Sequence, residues 1–482
     1  MAYEHTVKAT EMATSVSTPR QVDSSIPLFI GCSPINMTGD LTNVNKINLY
    51  MDQQSAVLGE GLVLPEGGKF KFSNSEAIYA AFTLMAVAPI MVVNVLDPAK
   101  HKTSVTGETV TIVDGVGVLL NSGVLKDTVV VTDAELNTDY VLTWTNRGLL
   151  QINKTDSSKL TDSITVAYDY LDPTKVTSND IIGGIDSATG ANTGLELINS
   201  AYTETGLMVG QLVAAGFSGT SEVAASMTTK ADSINGVFSC MSLHDLPTDT
   251  IRKHTDAQAY KKANNIVNEN QIALWPKTSL GGTQYNASII QAVVTMATDA
   301  DYNGIPYKSP SNEYAPMDSA VLEDGTIVSL TMDNTAYLNG QGICTFLNLD
   351  GWKTRGNNTA AYPANTDVKD RFISVKRMFK WIANTAILTD WKNLDAPINQ
   401  RLIDTIQDSN NLWLNTLSGQ EALVGSQNRV EVLASENQLT DTLNGKITYH
   451  WYITPPTPAE VIHHVIEYDV NNLAELFNGG AS

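Results

Sequence analysis

Apolar and polar positions change rhythm several times along this chain. Residues 1–22 are polar, rich in Thr and Ser, and lack helical periodicity. Such a segment reads as a tail or an extended arm. Ile26-Pro27-Leu28-Phe29-Ile30-Gly31 then reads as a buried strand that ends at a glycine. Residues 79–96 form a long apolar stretch, yet Pro89 and Asn94 interrupt it, and it barely reaches the ~18–20 residues of a membrane span. Its pattern predicts a helix over 75–87 that stops before Pro89, then a buried strand over 90–96.

From about 104 to 171 the texture changes to short β-branched runs, such as TVTIVDGVGVLL and SITVAYDYL, spaced by Gly, Asn and Asp. Strands at intervals of ~8–12 residues predict a small β-sandwich, inserted between flanks of a different kind. From 179 to 350 helical patterns over 194–202, 220–231, 256–268 and 286–297 alternate with strand patterns over 237–241 and 271–275. That alternation predicts a largely parallel sheet with crossover helices. After residue 357 the pattern predicts helices over 368–388 and 397–417, with Asp395 as cap and Gly419 as stop. Two strands follow, over 446–454 and 459–468, separated by the breaker Pro455-Pro456-Thr457-Pro458.

These changes divide the 482 residues. The expected units are an arm over 1–22, a discontinuous central α/β domain over 23–98 and 178–355, an inserted β-sandwich over 99–177, a C-terminal α+β domain over 356–468, and a tail over 469–482. The fold class is thus α/β and α+β, multidomain.

Composition narrows the function. The net charge is −21, which argues against nonspecific binding to nucleic acid or to an anionic membrane. Three cysteines, Cys32, Cys240 and Cys344, make no disulfide framework and suit a reducing compartment. The opening residues show no basic region followed by an apolar one, so no signal peptide is expected. The Gly-rich piece 183–190 is not followed by Gly-Lys-Ser/Thr, and reads as a turn. No histidine stands at HExxH spacing, and no CxxC or Gly-x-Ser-x-Gly occurs. His463 and His464, adjacent in a predicted strand, point to opposite faces and cannot share a metal; core or interface packing is expected there. No catalytic, metal or cofactor residue is therefore assigned, and the chain is read as a non-enzyme.

One charged segment opposes the rest. Between 369 and 392, six cations (Lys369, Arg371, Lys376, Arg377, Lys380 and Lys392) stand against two acids, Asp370 and Asp390. On a helix, Phe372, Val375, Phe379, Ile382 and Ala386 share one stripe, with the cations beside or opposite it. A solvated face is the plain reading. A face turned to an acidic partner is the functional one, with Lys369, Lys376, Arg377 and Lys380 as its candidates.

Several ordered pieces carry a resemblance. The opening MAYEHTVKATEMATSVSTP leads into IPLFIGCSP; YLNGQGI precedes GWKTRGN; helical patterns follow from Asp370 and from Asn410; and LNGK runs through to TPAEVI. Ser309-Pro310-Ser311-Asn312 adds a loose match. In order and spacing these pieces resemble the contractile tail sheath proteins of bacteriophages and phage-derived tailocins. The resemblance implies a subtilisin-like central domain, a variable inserted β-domain, and subunits stacked as hexameric rings around an inner tube. It implies contraction from a metastable extended state that drives the tube through a target envelope, in a virion tail or tailocin particle assembled in the bacterial host cytoplasm. Its partners would be further copies of itself, the tube protein, and baseplate and terminator proteins. It also implies that terminal arms add strands to a neighbour's C-terminal sheet, with Tyr3, His5 and Val7 on one arm and Val461, His463, Val465 and Tyr468 on the other as the exchanging residues. The same resemblance implies that the basic helix faces the tube. A surface-layer or adhesin-type protein is the alternative, resting on the Thr/Asn-rich, Lys-poor texture; it would require export. A hydrolase would require a triad or metal cluster.

Overall fold

The computed structural model describes residues 23–473. Eight strands form the central sheet: β1 (Pro27–Gly31), β2 (Ile47–Tyr50), β3 (Ile90–Asn94), β4 (Gln211–Val213), β5 (Met241–Asp245), β6 (Gln271–Leu274), β7 (Ile343–Asn348) and β8 (Trp352–Arg355). Their spatial order is β8-β7-β6-β5-β4-β1-β3-β2. The six inner strands run parallel, and β2 and β8 close the two edges antiparallel.

β1 and β3 are buried at every position, because alternate side chains enter two different cores. Leu28, Ile30, Met91 and Val93 join a cluster with Val223 and Met227 of the helix Ser221–Asp232. Phe29, Ile90 and Val92 join the opposite cluster with Ile289, Ile290 and Val293 of the helix Ala287–Asp301. A strand buried on both faces needs a continuous apolar run, and PLFIG and IMVVN supply it.

The apolar stretch before β3 coils as the helix Ser73–Ile78, widens over Tyr79–Leu84 and ends before Pro89. No helix among the described residues is long and apolar enough to cross a membrane. The strand expected over 237–241 is displaced: it is β5, Met241–Asp245. Asn235 and Gly236, both at positive φ, instead turn the chain so that Ile234 and Phe238 bond each other. The His244 ring on this strand is fully buried and bonded on both nitrogens, to the Ser218 carbonyl at 3.1 Å and Ser242 Oγ at 2.8 Å.

Between β3 and β4 the chain leaves and returns through paired residues Lys102 and Leu171. The segment forms two three-stranded antiparallel sheets, with Val110, Leu119, Leu150, Ile152 and Val166 in one shared core. Its base is sunk into the central body, since Leu125 and Leu171 cluster with Ile35 and Phe72.

Beyond the central sheet, helices Ile373–Asp390 and Gln400–Gly419 pack with Arg429–Glu431 and His450–Tyr452, an antiparallel pair. Asn399, not Asp395, caps the second helix, its side chain accepting from Leu402 N at 2.9 Å; Asp395 sits in the left-handed region at φ 61. Met378, Trp381, Trp413, Leu417 and Val430 form the core. Trp381 and Trp413 ring centroids lie 5.4 Å apart, and Trp413 meets Trp451 edge-on at 6.4 Å.

Candidate functional site

The crevice beyond the carboxyl ends of β1 and β3 is where open α/β sheets commonly bind ligands. Here the protein's own side chains fill it. The buried Glu60 carboxylate accepts from Ser33 Oγ at 2.5 Å, Asn48 at 2.9 Å, Tyr50 at 2.9 Å and Asn43 at 3.2 Å. Burial pushes its carboxyl up, against the pull of these four donors. The His244–Ser242 pair has the contact of a base and a nucleophile. However, the other ring nitrogen meets a backbone carbonyl, both residues are fully buried, and Asp245 spends its oxygens on Ser288. Burial pulls the His244 ring down to about 4. No group of three or more metal-ligating side chains occurs among the described residues.

The expected basic face is corrected. Arg377 is buried and pairs with the equally buried Asp299, one contact measuring 3.0 Å. Lys380 is also buried; burial pulls its ammonium down to about 8, opposed by nearby Cys240, Asp232 and Glu269. Lys376 is largely covered and pairs with Asp370 at 2.8 Å. Of the four candidates, Lys369 alone keeps a half-exposed side chain, 3.1 Å from Asp370. The single apolar stripe predicted one exposed face. The helix instead lies between the Gln400–Gly419 helix and the central body, so two sides are covered and its cations become internal partners.

The open surface lies at the C-terminal strand pair. Val430 pairs with Trp451. The Val430 backbone faces away from that partner: its N–H donates to Asn411 Oδ1 at 2.7 Å, and its carbonyl accepts from Asn411 Nδ2 at 3.2 Å. One edge of the pair is therefore closed by an asparagine on the helix behind it. In a pair of this register, the Trp451 backbone must face the opposite edge. Neighbouring residues extend the alternation. Thr448 is bonded on both sides by Asn437, and Thr454 by Asn428 and Val424 N. Even-numbered residues 448–454 thus bond inward, and Tyr449, Trp451 and Ile453 turn their N–H and C=O groups outward. Their side chains point into the aromatic core. A groove of about 390 Å³ lies nearby, lined by Phe379, Trp451 and Ile453 but also by Gln427, Asn428 and Arg429. A strand edge whose N–H and C=O groups face outward can accept an extended strand.

The same chain carries an exposed apolar segment after its proline breaker. The strand expected over 459–468 does not form: among the described residues no strand pairs with this segment. Val461, Val465 and Tyr468 are exposed at 84%, 82% and 72%, with Ile466 at 93%. His463 and His464 are exposed too, not packed in a core. Tyr3, His5 and Val7 lie outside the described residues.

Three residues that tie the C-terminal unit together escaped the sequence reading: Asp299, Asn411 and Glu460. Each is polar, and each acts on a group far away in sequence. Only the Asn-rich spacing of 399, 410, 411, 428 and 437 hinted at side chains bonding backbone in this region.

No family model matches the chain. Over 497 aligned residues it is 25% identical to a tail sheath protein of Burkholderia phage BcepMu, covering 99% of both chains. Its fold matches a chain of the anti-feeding prophage baseplate with a TM-score of 0.58 at 14% identity, over 98% of this chain and 100% of that one. It also matches the sheath complex of an extracellular contractile injection system, PVC, in its contracted state, with a TM-score of 0.57 at 13% identity, over 98% and 99%. The chain thus resembles contractile tail sheath proteins along its whole length, in a mixed α/β multidomain fold.

Proposed function

We propose that this chain is the structural subunit of a contractile tail sheath. It polymerises as stacked hexameric rings around an inner tube, joins a baseplate at one end and a terminator at the other, and acts in a virion tail or tailocin particle assembled in the host cytoplasm. The observation that carries this reading is an open strand edge and an unpartnered apolar arm on one chain. The edge at Tyr449, Trp451 and Ile453 needs a strand, and the arm over 461–470 needs a sheet. Among the described residues neither need is met, and a repeating copy would meet both. Such contacts are heterologous, so they generate rings or helices rather than closed dimers.

Main-chain bonds between strands tolerate side-chain variation and hold while domains swing. Contraction is then a change between two packings of the same subunit, the extended one kinetically trapped. The subtilisin-like description applies to the central sheet by analogy of architecture alone. Of the four candidates for contact with the tube, Lys369 alone stays half-exposed, since Lys376, Arg377 and Lys380 are covered by the subunit. Electron microscopy of the purified full chain tests the reading. Hollow striated cylinders are expected; a monodisperse soluble monomer at all concentrations would contradict it. A chain lacking residues 1–18 is expected to stay folded but to form no long cylinders.

A further inference from the structure

After Thr454 the chain crosses a polar cleft of about 780 Å³ between the central body and the C-terminal unit, lined by Tyr307, Ser309, Asn339, Arg355, Arg371 and Glu460. Among the described residues, the segment from Pro456 to Tyr468 makes one polar contact with the body. Glu460 Oε2 accepts from Arg371 Nη2 at 2.5 Å. Beyond it, residues 461–473 are all exposed.

Arg371 is held before it meets Glu460. Its Nε donates to the buried Asn358 Oδ1 at 2.8 Å. Its guanidinium lies 4.6 Å from the Tyr362 ring centroid and 4.5 Å from that of Phe372. A guanidinium fixed by stacking and by a third bond loses little freedom when it binds a carboxylate. On the other side, Pro455-Pro456-Thr457-Pro458 is a stiff, extended spacer. A rigid rod that ends in one charged contact has its direction set by that contact.

We infer that the Arg371–Glu460 pair is a clasp that fixes the direction in which the C-terminal arm leaves the subunit, so that the arm is presented to a neighbouring copy already oriented. Preorganisation of this kind lowers the ordering cost of strand addition without adding a contact to the neighbour. The pair lies near the surface, with about a quarter of Arg371 and a third of Glu460 accessible, so salt screens it. The inference about arm direction concerns the single subunit; its consequence for polymerisation rests on the sheath reading.

Spin labels at Ile462→Cys and Met332→Cys report the arm's direction, since the three native cysteines are buried and label slowly. In the full-length subunit a narrow distance distribution is expected. Glu460→Gln and 1 M salt should each broaden it at least twofold, and the exchanged pair Arg371→Glu with Glu460→Arg should narrow it again. A width unchanged in Glu460→Gln, or already broad in the parent, overturns the clasp. In parallel, Glu460→Gln should raise the protein concentration needed for polymers severalfold while leaving the melting temperature unchanged. If the parent forms no polymers, the sheath reading fails while the label measurement still decides the clasp.

Discussion

Arg377, on the helix Ile373–Asp390, and Asp299, near the end of the helix Ala287–Asp301, form an ion pair with almost no solvent access on either side. Ser24 Oγ donates to the same carboxylate at 2.5 Å. One buried acid thus joins the C-terminal helix, the central body and the root of the N-terminal segment. Two further bonds, between Asn384 and the backbone of Ser239, fasten the same helix to the body at 2.8 and 3.2 Å.

Removing one member of such a pair leaves a buried charge alone. Arg377→Ala is expected to destabilise the subunit by ~3–5 kcal/mol, read as a lower denaturation midpoint. Replacing both residues with leucine should recover most of the loss. A destabilisation of Arg377→Ala no larger than that of the double leucine variant would show that the ion pair contributes nothing specific. Assembly defects from reversing this charge should not be attributed to the tube.

Asn411 closes one edge of the C-terminal strand pair. Asn411→Ala leaves the buried Val430 N–H and C=O without partners, at ~1–3 kcal/mol for each group. It also opens a second edge. The variant should melt at a lower temperature and form amorphous aggregates, visible by light scattering, in place of ordered polymers.

His244 gives a pH dependence whose sign follows from its buried ring. Its pKa falls from 6.5 to about 4 on burial, so the unfolded chain binds a proton that the folded one refuses. The contribution is fully present above pH 6.5 and is lost as pH falls toward 4, up to about 3 kcal/mol. Burial pushes the carboxyls of Glu60 and Asp245 up, and that of Glu76 to about 7. These favour the folded state at low pH, lose that contribution as pH rises through their folded values, and partly cancel the histidine. His244→Gln should therefore shift maximum stability to lower pH, measured as melting temperature between pH 4.5 and 7.5. An unshifted profile would count against a neutral buried imidazole.

The inserted sheets leave the body at a closed neck, where His101 O accepts from Asp172 N at 2.9 Å. Replacing 104–169 with a short Gly/Ser linker should leave the central body folded. It also removes Leu125 from the core, at ~2–5 kcal/mol for a large apolar side chain. The truncated chain should remain soluble with a lower melting temperature, and Leu125→Ala in the full chain should reproduce most of that loss. A truncated chain that is insoluble would show that the insertion is needed for folding.

Much of this protein is legible locally. PLFIG and IMVVN announce strands buried on both faces, since only an inner strand of a covered sheet needs an unbroken apolar run. The β-branched runs of 104–171 announce a separate β unit, whereas the strand expected over 459–468 does not form within the described residues. Periodicity reports whether a side chain is buried, and in a short window it reports one face at a time. Partners were decided only by the tertiary structure. Arg377 meets Asp299 across 78 residues, Glu460 meets Arg371 across 89, and Asn411 reaches the backbone of Val430 through the packing of a helix on a strand. A charge carries no mark in the sequence of the opposite charge it will meet. The helix Ile373–Asp390 therefore looked like a surface for a partner until the body was seen to cover the side left free by its own domain.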